Sequence, residues 1–413
     1  MKVAVIGAGS TYTPELVSGM WRERERIGVE DLALHDIDAE RRDVVGRLAE
    51  RMLRRQGFDG RVTVTGDLDR SVEYADFVLI QIRVGGQRAR LADETIPLEL
   101  GCIGQETTGA GGLAKAFRTV PVVLDVAERV RDLAAPGAWI IDFTNPVGIV
   151  TRALLDAGHR AVGLCNVAIG FQRHLAELLG VDPGRVVIDQ IGLNHLSWIR
   201  SVLVDGEDVL PGLLEAHGAA LSEHVELPRR LLDHLRAIPS PYLRYYYRHD
   251  EVLQEQLAGV PRAATVAEIE ADLLRMYRDP ELTEKPALLE QRGGAYYSES
   301  AIGLMASLVT GDGGLHVVDM RNGTTITGLA GDDIVEVPAR VGTAGMTPLA
   351  QREPTPEILG LVQHVAAYER LAARAAATGD IETAHAAALA HPLIGQERLA
   401  TDVVDRMLVG ARV

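Results

Sequence analysis

Lys2-Val3-Ala4-Val5-Ile6-Gly7-Ala8-Gly9-Ser10-Thr11-Tyr12-Thr13-Pro14 opens the chain with a short apolar run that breaks on two glycines. The run has the length of a buried strand, and the stretch from Pro14 to Arg26 suits a helix, since a first turn tolerates proline. Strand, glycine turn and helix in this order begin a dinucleotide-binding fold. Glycine is needed because backbone N–H groups and the helix N-terminus reach a pyrophosphate only where no side chain intervenes. The third glycine of the usual pattern is absent, because Gly7 and Gly9 are followed by Ser10 and Thr11, so the fingerprint is degenerate. Asp36 ends the next predicted strand, Asp31 to His35, at the distance where a carboxylate meets a ribose 2′-OH and repels a 2′-phosphate. NAD is expected over NADP, held by Gly7, Gly9, Ser10, Thr11 and Asp36.

Working outward, a helical span at 39–55 leads to a strand at 77–80, and further strands are predicted at 139–143 and 161–164, each preceded by a helical pattern. Alternating strands and helices imply an α/β fold with a Rossmann-like, doubly wound parallel sheet, similar to lactate and malate dehydrogenases. The pattern changes near residue 170. A helix at 171–180, strands near 186–191 and 196–204, a helix-rich region from 211 to 310, hairpin-like strands at 315–338 and helices at 355–378 and 381–409 follow. Two domains are expected: 1–170 binding NAD, and 171–413 as a mixed catalytic and substrate or oligomerisation domain, with the active site between them.

The net charge of −16 opposes non-specific nucleic-acid binding, and no apolar run approaches the ~20 residues that span a bilayer. No nucleic-acid or membrane partner is expected, and the N-terminal run lacks the basic flank of a signal peptide, so a cytoplasmic location is expected. Two cysteines cannot build a disulfide framework, which leaves Cys102 and Cys165 as core residues or ligands. Cys165 and His195 each follow a predicted strand and could project into one cleft. Two protein ligands make a sparse metal site unless substrate oxygens complete it. Asn145, before Pro146 at a strand end, could meet cofactor and substrate. Arg83 and Arg292 stand beside glycines, a setting suited to binding carboxylate or phosphate, although surface arginines are common. Four tyrosines crowd into 241–247 in a chain with 4% aromatics; core packing is the default, and one of them near a cation could act as a base.

Taken in order, GAGSTYTPEL (7–16), QIRVGGQRAR (81–90), GQETTGAGG (104–112), FRTVPV (117–122), DFTNPVGIVT (142–151), GLCNVAIG (163–170), GLNHLSW (192–198), PYLRYYY (241–247), RGGAYYS (292–298) and AHPLIG (390–395) resemble glycoside hydrolase family four, in its 6-phospho-β-glucosidase branch, over nearly the full length. The family is an exception to two-carboxylate glycoside hydrolysis. The resemblance implies NAD-mediated oxidation at C3 of the sugar, removal of the C2 proton, elimination of the aglycone, addition of water and re-reduction, so that NAD is not consumed. It implies a divalent ion, most often Mn²⁺, on Cys165, His195 and the sugar's O2 and O3. Tyr242 matches the C2 base. Asn145, Arg83 and Arg292 match substrate contacts, with Arg292 the expected reader of the 6-phosphate. Asn166 stands where the α-specific branch tends to carry Asp, which favours a β-linked substrate and leaves Glu106 as one candidate for the leaving-group acid.

The partner implied is a phosphorylated β-glucoside such as cellobiose 6-phosphate, with a homodimer or homotetramer as the assembly. The alternatives are a malate- or lactate-like dehydrogenase, which would consume NAD, a related family-four glycosidase with another sugar specificity, and an inactive NAD-binding sensor, which the co-occurrence of Cys165, His195 and Tyr242 disfavours.

Overall fold

The computed structural model describes residues 1–293 and 296–409. Six strands, β1 (Lys2–Ile6), β2 (Asp31–His35), β3 (Arg61–Thr65), β4 (Phe77–Ile80), β5 (Trp139–Asp142) and β6 (Ala161–Gly163), pair in parallel in the order β6-β5-β4-β1-β2-β3. Alternation along these strands feeds a core on each face. Val3, Val5, Phe77 and Leu79 pack with one cluster, and Ala4, Ile6, Val78 and Ile80 with the other. Burial on both faces is why β1 reads as nearly continuous apolar sequence. Helices punctuate the strands where their caps allow. Helix Ala39–Gln56 starts on Asp38, whose carboxylate accepts the Arg41 N–H at 3.0 Å, and stops at Gly57, with φ of +87°.

β3 was not among the predicted strands. Its sequence, RVTVT, alternates, but it is the sheet's edge and lies half exposed, so it lacks the apolar run that marks its neighbours.

Four strands after residue 170 form a second sheet: β7 (Val186–Leu193), β8 (Leu196–Val204), β9 (Glu207–Asp208) and β10 (Ile238–Pro239). The chain then returns to the first sheet. β11 (Leu315–Arg321), β12 (Ile334–Gly342) and β13 (Gly345–Pro348) extend it antiparallel from β6, making nine strands. The first sheet is thus not confined to the residues before 170. Gly163 admits this junction: a Cβ there would lie 2.9 Å from that of Asp319 on β11 and 2.2 Å from the Thr151 hydroxyl. Helices Arg262–Tyr277 and Tyr297–Thr310 also pack back on the first sheet, since Leu273, Tyr277, Ala301 and Ile302 share a core with Val3 and Val5. The predicted terminal helix at 381–409 is broken into Ile381–Ala390, Glu397–Val404 and a last turn at Asp405–Val409. Pro392, which cannot donate a helical hydrogen bond, and Gly395, with φ of +58°, account for the break. Among the described residues no helix is long and apolar enough to cross a membrane.

Candidate active site

Strand register brings the predicted residues to one edge. Ile6 pairs with His35 and Ile80, Ile80 with Asp142, and Asp142 with Gly163. The residues that follow each strand, Gly7, Asp36, Gln81 to Arg83, Phe143 to Asn145 and Cys165, therefore emerge together at the carboxyl edge, where open α/β sheets bind ligands.

The glycine turn is tight for a physical reason at both glycines. Gly7 has φ of +92°, and a Cβ on it would lie 2.7 Å from the Gln81 carbonyl oxygen. A Cβ on Gly9 would lie 2.7 Å from the Asp36 carboxylate, which accepts the Gly9 N–H at 2.8 Å and that of Asp38 at 2.9 Å. Ser10 Oγ accepts from Tyr12 N at 3.2 Å, and Thr11 lies 3.5 Å from Glu270. The turn is held by its own bonds, the Gly7 and Ala8 N–H groups donating to the His35 carbonyl at 2.9 and 2.8 Å, and the anchored Asp36 retains lone pairs for a ribose.

His195 sits in the turn between β7 and β8, with φ of +61°, a backbone state unusual for a side-chain-bearing residue. Its Nδ1 lies 3.0 Å from Thr107 Oγ1, and its ring stacks on Tyr242 with centroids 3.7 Å apart and planes 6° from parallel. Burial, with help from the Lys115 charge, pulls the imidazole down to about 3, so it is neutral and able to ligate. Burial, with Glu336 and Asp319 nearby, pushes the Cys165 thiol far up, while the Asn194 side chain hydrogen-bonds it. A neutral imidazole and a thiol are an N,S donor pair that a divalent transition ion would deprotonate and bind. Among the described residues no group of three or more His, Cys, Asp or Glu side chains could hold a metal, so no third side chain of these types joins the pair. Cys102 is by contrast a core residue whose thiol burial alone raises to about 11.

Tyr242 lines a cavity of about 430 Å³ with Tyr245, Gln105, Arg90, Arg244 and Arg262, among others. Arg244, two residues on from Tyr242, is not its cation: it is paired with Glu226 and lies over the Tyr245 ring. Sequence reading missed Tyr297. Its phenol hydrogen-bonds Asn145, its ring stands edge-on to Phe143 and Tyr12, and it lies close enough to Cys165 and Tyr242 for their charges to act on it. It is the second tyrosine of the 292–298 motif, where the scarcity of aromatics was the available signal. Asn145 keeps its amide oxygen buried without a partner among the described residues. Asn166 stands at the N-cap position of the helix Val167–Leu179, next to Cys165.

The predicted arginines are both engaged by buried carboxylates. Arg83 pairs with Glu106, which also takes Arg90 at 3.1 Å and Lys115 at 2.6 Å. Burial alone would raise Glu106, but Lys115, Arg83 and Arg90 outweigh it and hold the carboxyl far below the carboxylate range. A carboxylate held so firmly is a poor proton donor, which argues against Glu106 as the leaving-group acid. Lys115, one of three lysines in the chain, is buried and drawn down to about 8 by that burial, a signal its rarity on an apolar helix could have given. Arg292 gives two hydrogen bonds to buried Glu270, at 2.7 and 3.0 Å, and lies on the glycine-turn side, 5.7 Å from the Tyr12 ring centroid. Arg262 is exposed, its one recorded hydrogen bond going to the Gln291 carbonyl at 3.1 Å, and among the described residues it has no carboxylate partner. Gly294 and Ala295 of the same motif lie outside the described residues.

Known proteins resemble the chain along its length. The profile described as "Family 4 glycosyl hydrolase" matches residues 2–181, and that of the family's C-terminal domain matches residues 190–394. The chain is 39% identical over 423 residues to the "Probable 6-phospho-beta-glucosidase" of Bacillus subtilis (strain 168), covering 99% of this chain and 96% of that protein. The 6-phospho-β-glucosidase of Thermotoga maritima, solved with manganese, NAD⁺ and glucose-6-phosphate, superposes with a TM-score of 0.93 at 34% identity, covering 100% of this chain and 98% of that one. Malate dehydrogenase of Plasmodium falciparum, at 14% identity and a TM-score of 0.55, shares the fold alone.

Proposed function

The chain belongs to glycosyl hydrolase family 4, and from that premise we propose that it is a 6-phospho-β-glucosidase that uses NAD and a divalent ion, Mn²⁺, to cleave 6-phosphorylated β-glucosides. One observation carries the reading: a thiol, a neutral imidazole and a phenol stacked on that imidazole stand at the same sheet edge as a glycine turn suited to a dinucleotide.

When bound, NAD supplies a reversible hydride acceptor for C3 of the sugar, and the ion supplies a Lewis acid at the oxygens of C2 and C3. The chain's own residues do the rest. Gly7, Gly9, Ser10 and Thr11 receive the pyrophosphate, and Asp36 receives the ribose. Cys165 and His195 would hold the ion. Tyr242, whose ring stacks on that of His195, would take the C2 proton. Asn145, tied to Tyr297, offers its free amide oxygen to a sugar hydroxyl. Asn166 replaces a potential acid near the leaving group, in keeping with a β-linkage. Arg83 shapes the site as part of the Glu106 cage. The 6-phosphate would be read by Arg292, as the resemblance implies, or by Arg262, which the cavity leaves more available.

Cellobiose 6-phosphate represents the substrate class, a cytoplasmic location suits a phosphorylated sugar and two unpaired thiols, and the working unit is a homodimer or homotetramer, which sedimentation would measure. The deciding assay follows nitrophenol release from 6-phosphorylated and plain β-glucosides and from a 6-phosphorylated α-glucoside. Release should require the phosphate, the β-linkage, NAD and Mn²⁺, without net NADH. Stoichiometric NADH formation from a hydroxy acid would establish the dehydrogenase reading instead.

A further inference from the structure

Gln105 and Thr107, in the motif at 104–112, and Tyr245, in the tyrosine cluster, take no part in the chemistry so far. They form a hydrogen-bonded run that ends on His195, and one atom pair fixes the orientation of the Gln105 amide. The Thr107 backbone N–H can only donate, and it donates to Gln105 Oε1 at 3.1 Å. The amide oxygen of Gln105 therefore faces Thr107, and its Nε2 faces away, donating to the Tyr245 hydroxyl at 3.0 Å. Thr107 Oγ1 lies 3.3 Å from the same Oε1, an oxygen that only accepts and that can take the hydroxyl hydrogen. With its hydrogen on Oε1, Oγ1 would accept from His195 Nδ1, which lies 3.0 Å away. Nδ1 then carries the proton, and Nε2 keeps its lone pair, with no partner among the described residues.

We propose that Thr107, braced by Gln105 and Tyr245, is a positioning residue that fixes His195 in its Nδ1–H tautomer and so presents Nε2 to a divalent cation. The proposal rests on the reading of His195 as a metal ligand. The brace is itself anchored. The next residues, Thr108 and Gly109, start helix Gly109–Leu133, where buried His391 accepts the Gly109 N–H at 3.1 Å and Thr108 Oγ1 lies 2.9 Å from the Tyr246 hydroxyl. On its other side the imidazole is clamped by the Tyr242 ring, so the face and the edge of His195 are held by different elements. Ligating histidines are commonly oriented by a partner on the second nitrogen, and loss of that partner lowers metal affinity by about 10–100-fold.

Two-bond ¹H–¹⁵N correlation on metal-free, full-length protein labelled at histidine reads the tautomer directly, with the His195 signals identified by their loss in His195→Ala. The expected pattern is a protonated Nδ1; a protonated Nε2 overturns the proposal without recourse to any variant of Thr107. Calorimetric titration with Mn²⁺ then compares Thr107→Val, which keeps the shape and removes the hydroxyl, with Thr107→Ser. Val should weaken binding by about 10–100-fold with NAD affinity unchanged, and Ser should restore it. Wild-type Mn²⁺ affinity in Thr107→Val overturns the proposal. If His195→Ala itself leaves Mn²⁺ affinity unchanged, the metal reading fails and takes this inference with it. If His195→Ala loses Mn²⁺ and Thr107→Val does not, the inference alone falls.

Discussion

Burial pushes the Tyr242 phenol well above its ordinary value, Cys165, Tyr245 and Glu106 push it the same way, and Arg90 pulls against them. A phenol in that state is a weak base at neutral pH, so its role depends on positive charge delivered beside it, which a divalent ion on Cys165 and His195 would bring. Tyr242→Phe should lower kcat by about 10²–10⁴-fold while NAD and Mn²⁺ still bind. Product made in D₂O by the wild type should carry deuterium at C2, and a C2-deuterated substrate should react more slowly; product without solvent deuterium, formed with the C2 label fully retained and no C2 isotope effect, would sink the elimination route. The phosphate reader is a second question at this scale. Arg292 is tied to Glu270 by two hydrogen bonds, whereas Arg262 lies exposed on the cavity that Tyr242 lines. We expect Arg262→Ala to raise KM for the phosphorylated glucoside by about tenfold or more, the loss of one charge-assisted contact. Arg292→Ala should act mainly through NAD affinity. A KM effect confined to Arg292→Ala would return the phosphate to that residue.

Elements matter because the site is assembled from ends, each fixed by backbone geometry. The glycine turn is the clearest case. In Gly9→Ala the new methyl would lie 2.7 Å from the Asp36 carboxylate and 3.0 Å from Arg41 Cβ, so either the turn or the carboxylate must shift. NAD affinity should fall by about tenfold or more, as expected when a buried hydrogen bond is lost, while Mn²⁺ binding to Cys165 and His195 is retained. Fluorescence titration with NAD checks this, and unchanged affinity would remove Asp36 and the turn from the cofactor site. The β7–β8 hairpin works likewise, since its two-residue turn is what aims His195 back over the edge of another sheet.

At the scale of the whole molecule, the seam where β11 and β12 join the parallel sheet buries four acids: Asp142, Asp319, Glu336 and Glu369. Burial raises Glu369 to about 8, with Asp333 and Glu336 adding to it and Arg152 opposing. Burial likewise raises Asp142 to about 8 and Glu336 to about 7. Glu369 is thus protonated in the folded chain where the unfolded chain has released its proton. The folded state binds more protons between its ordinary 4.5 and about 8, so the associated stability is present at low pH and is lost as pH rises through that window. Glu369→Gln, which keeps a neutral hydrogen-bonding group, should match the wild-type Tm near pH 5 and exceed it increasingly toward pH 8.5. A Tm difference independent of pH would show that Glu369 does not titrate with folding.

Local pattern alone determined the start of the fold and its cofactor. A strand, two glycines and an acid at the next strand end are written in neighbouring residues, and backbone sterics leave them few conformations. The strand ends that carry Asn145 and Cys165 were legible for the same reason, because apolar runs show where they stop. What tertiary structure decided is whatever depends on a partner distant in sequence. That β11 to β13 would complete the first sheet, that Arg83 and Arg292 would be engaged by Glu106 and Glu270, and that Glu106 would be held ionised by three cations follow from contacts between separate elements. Hydrophobic period reports which face of an element is buried; it does not name the neighbour, and charge states are set by neighbours.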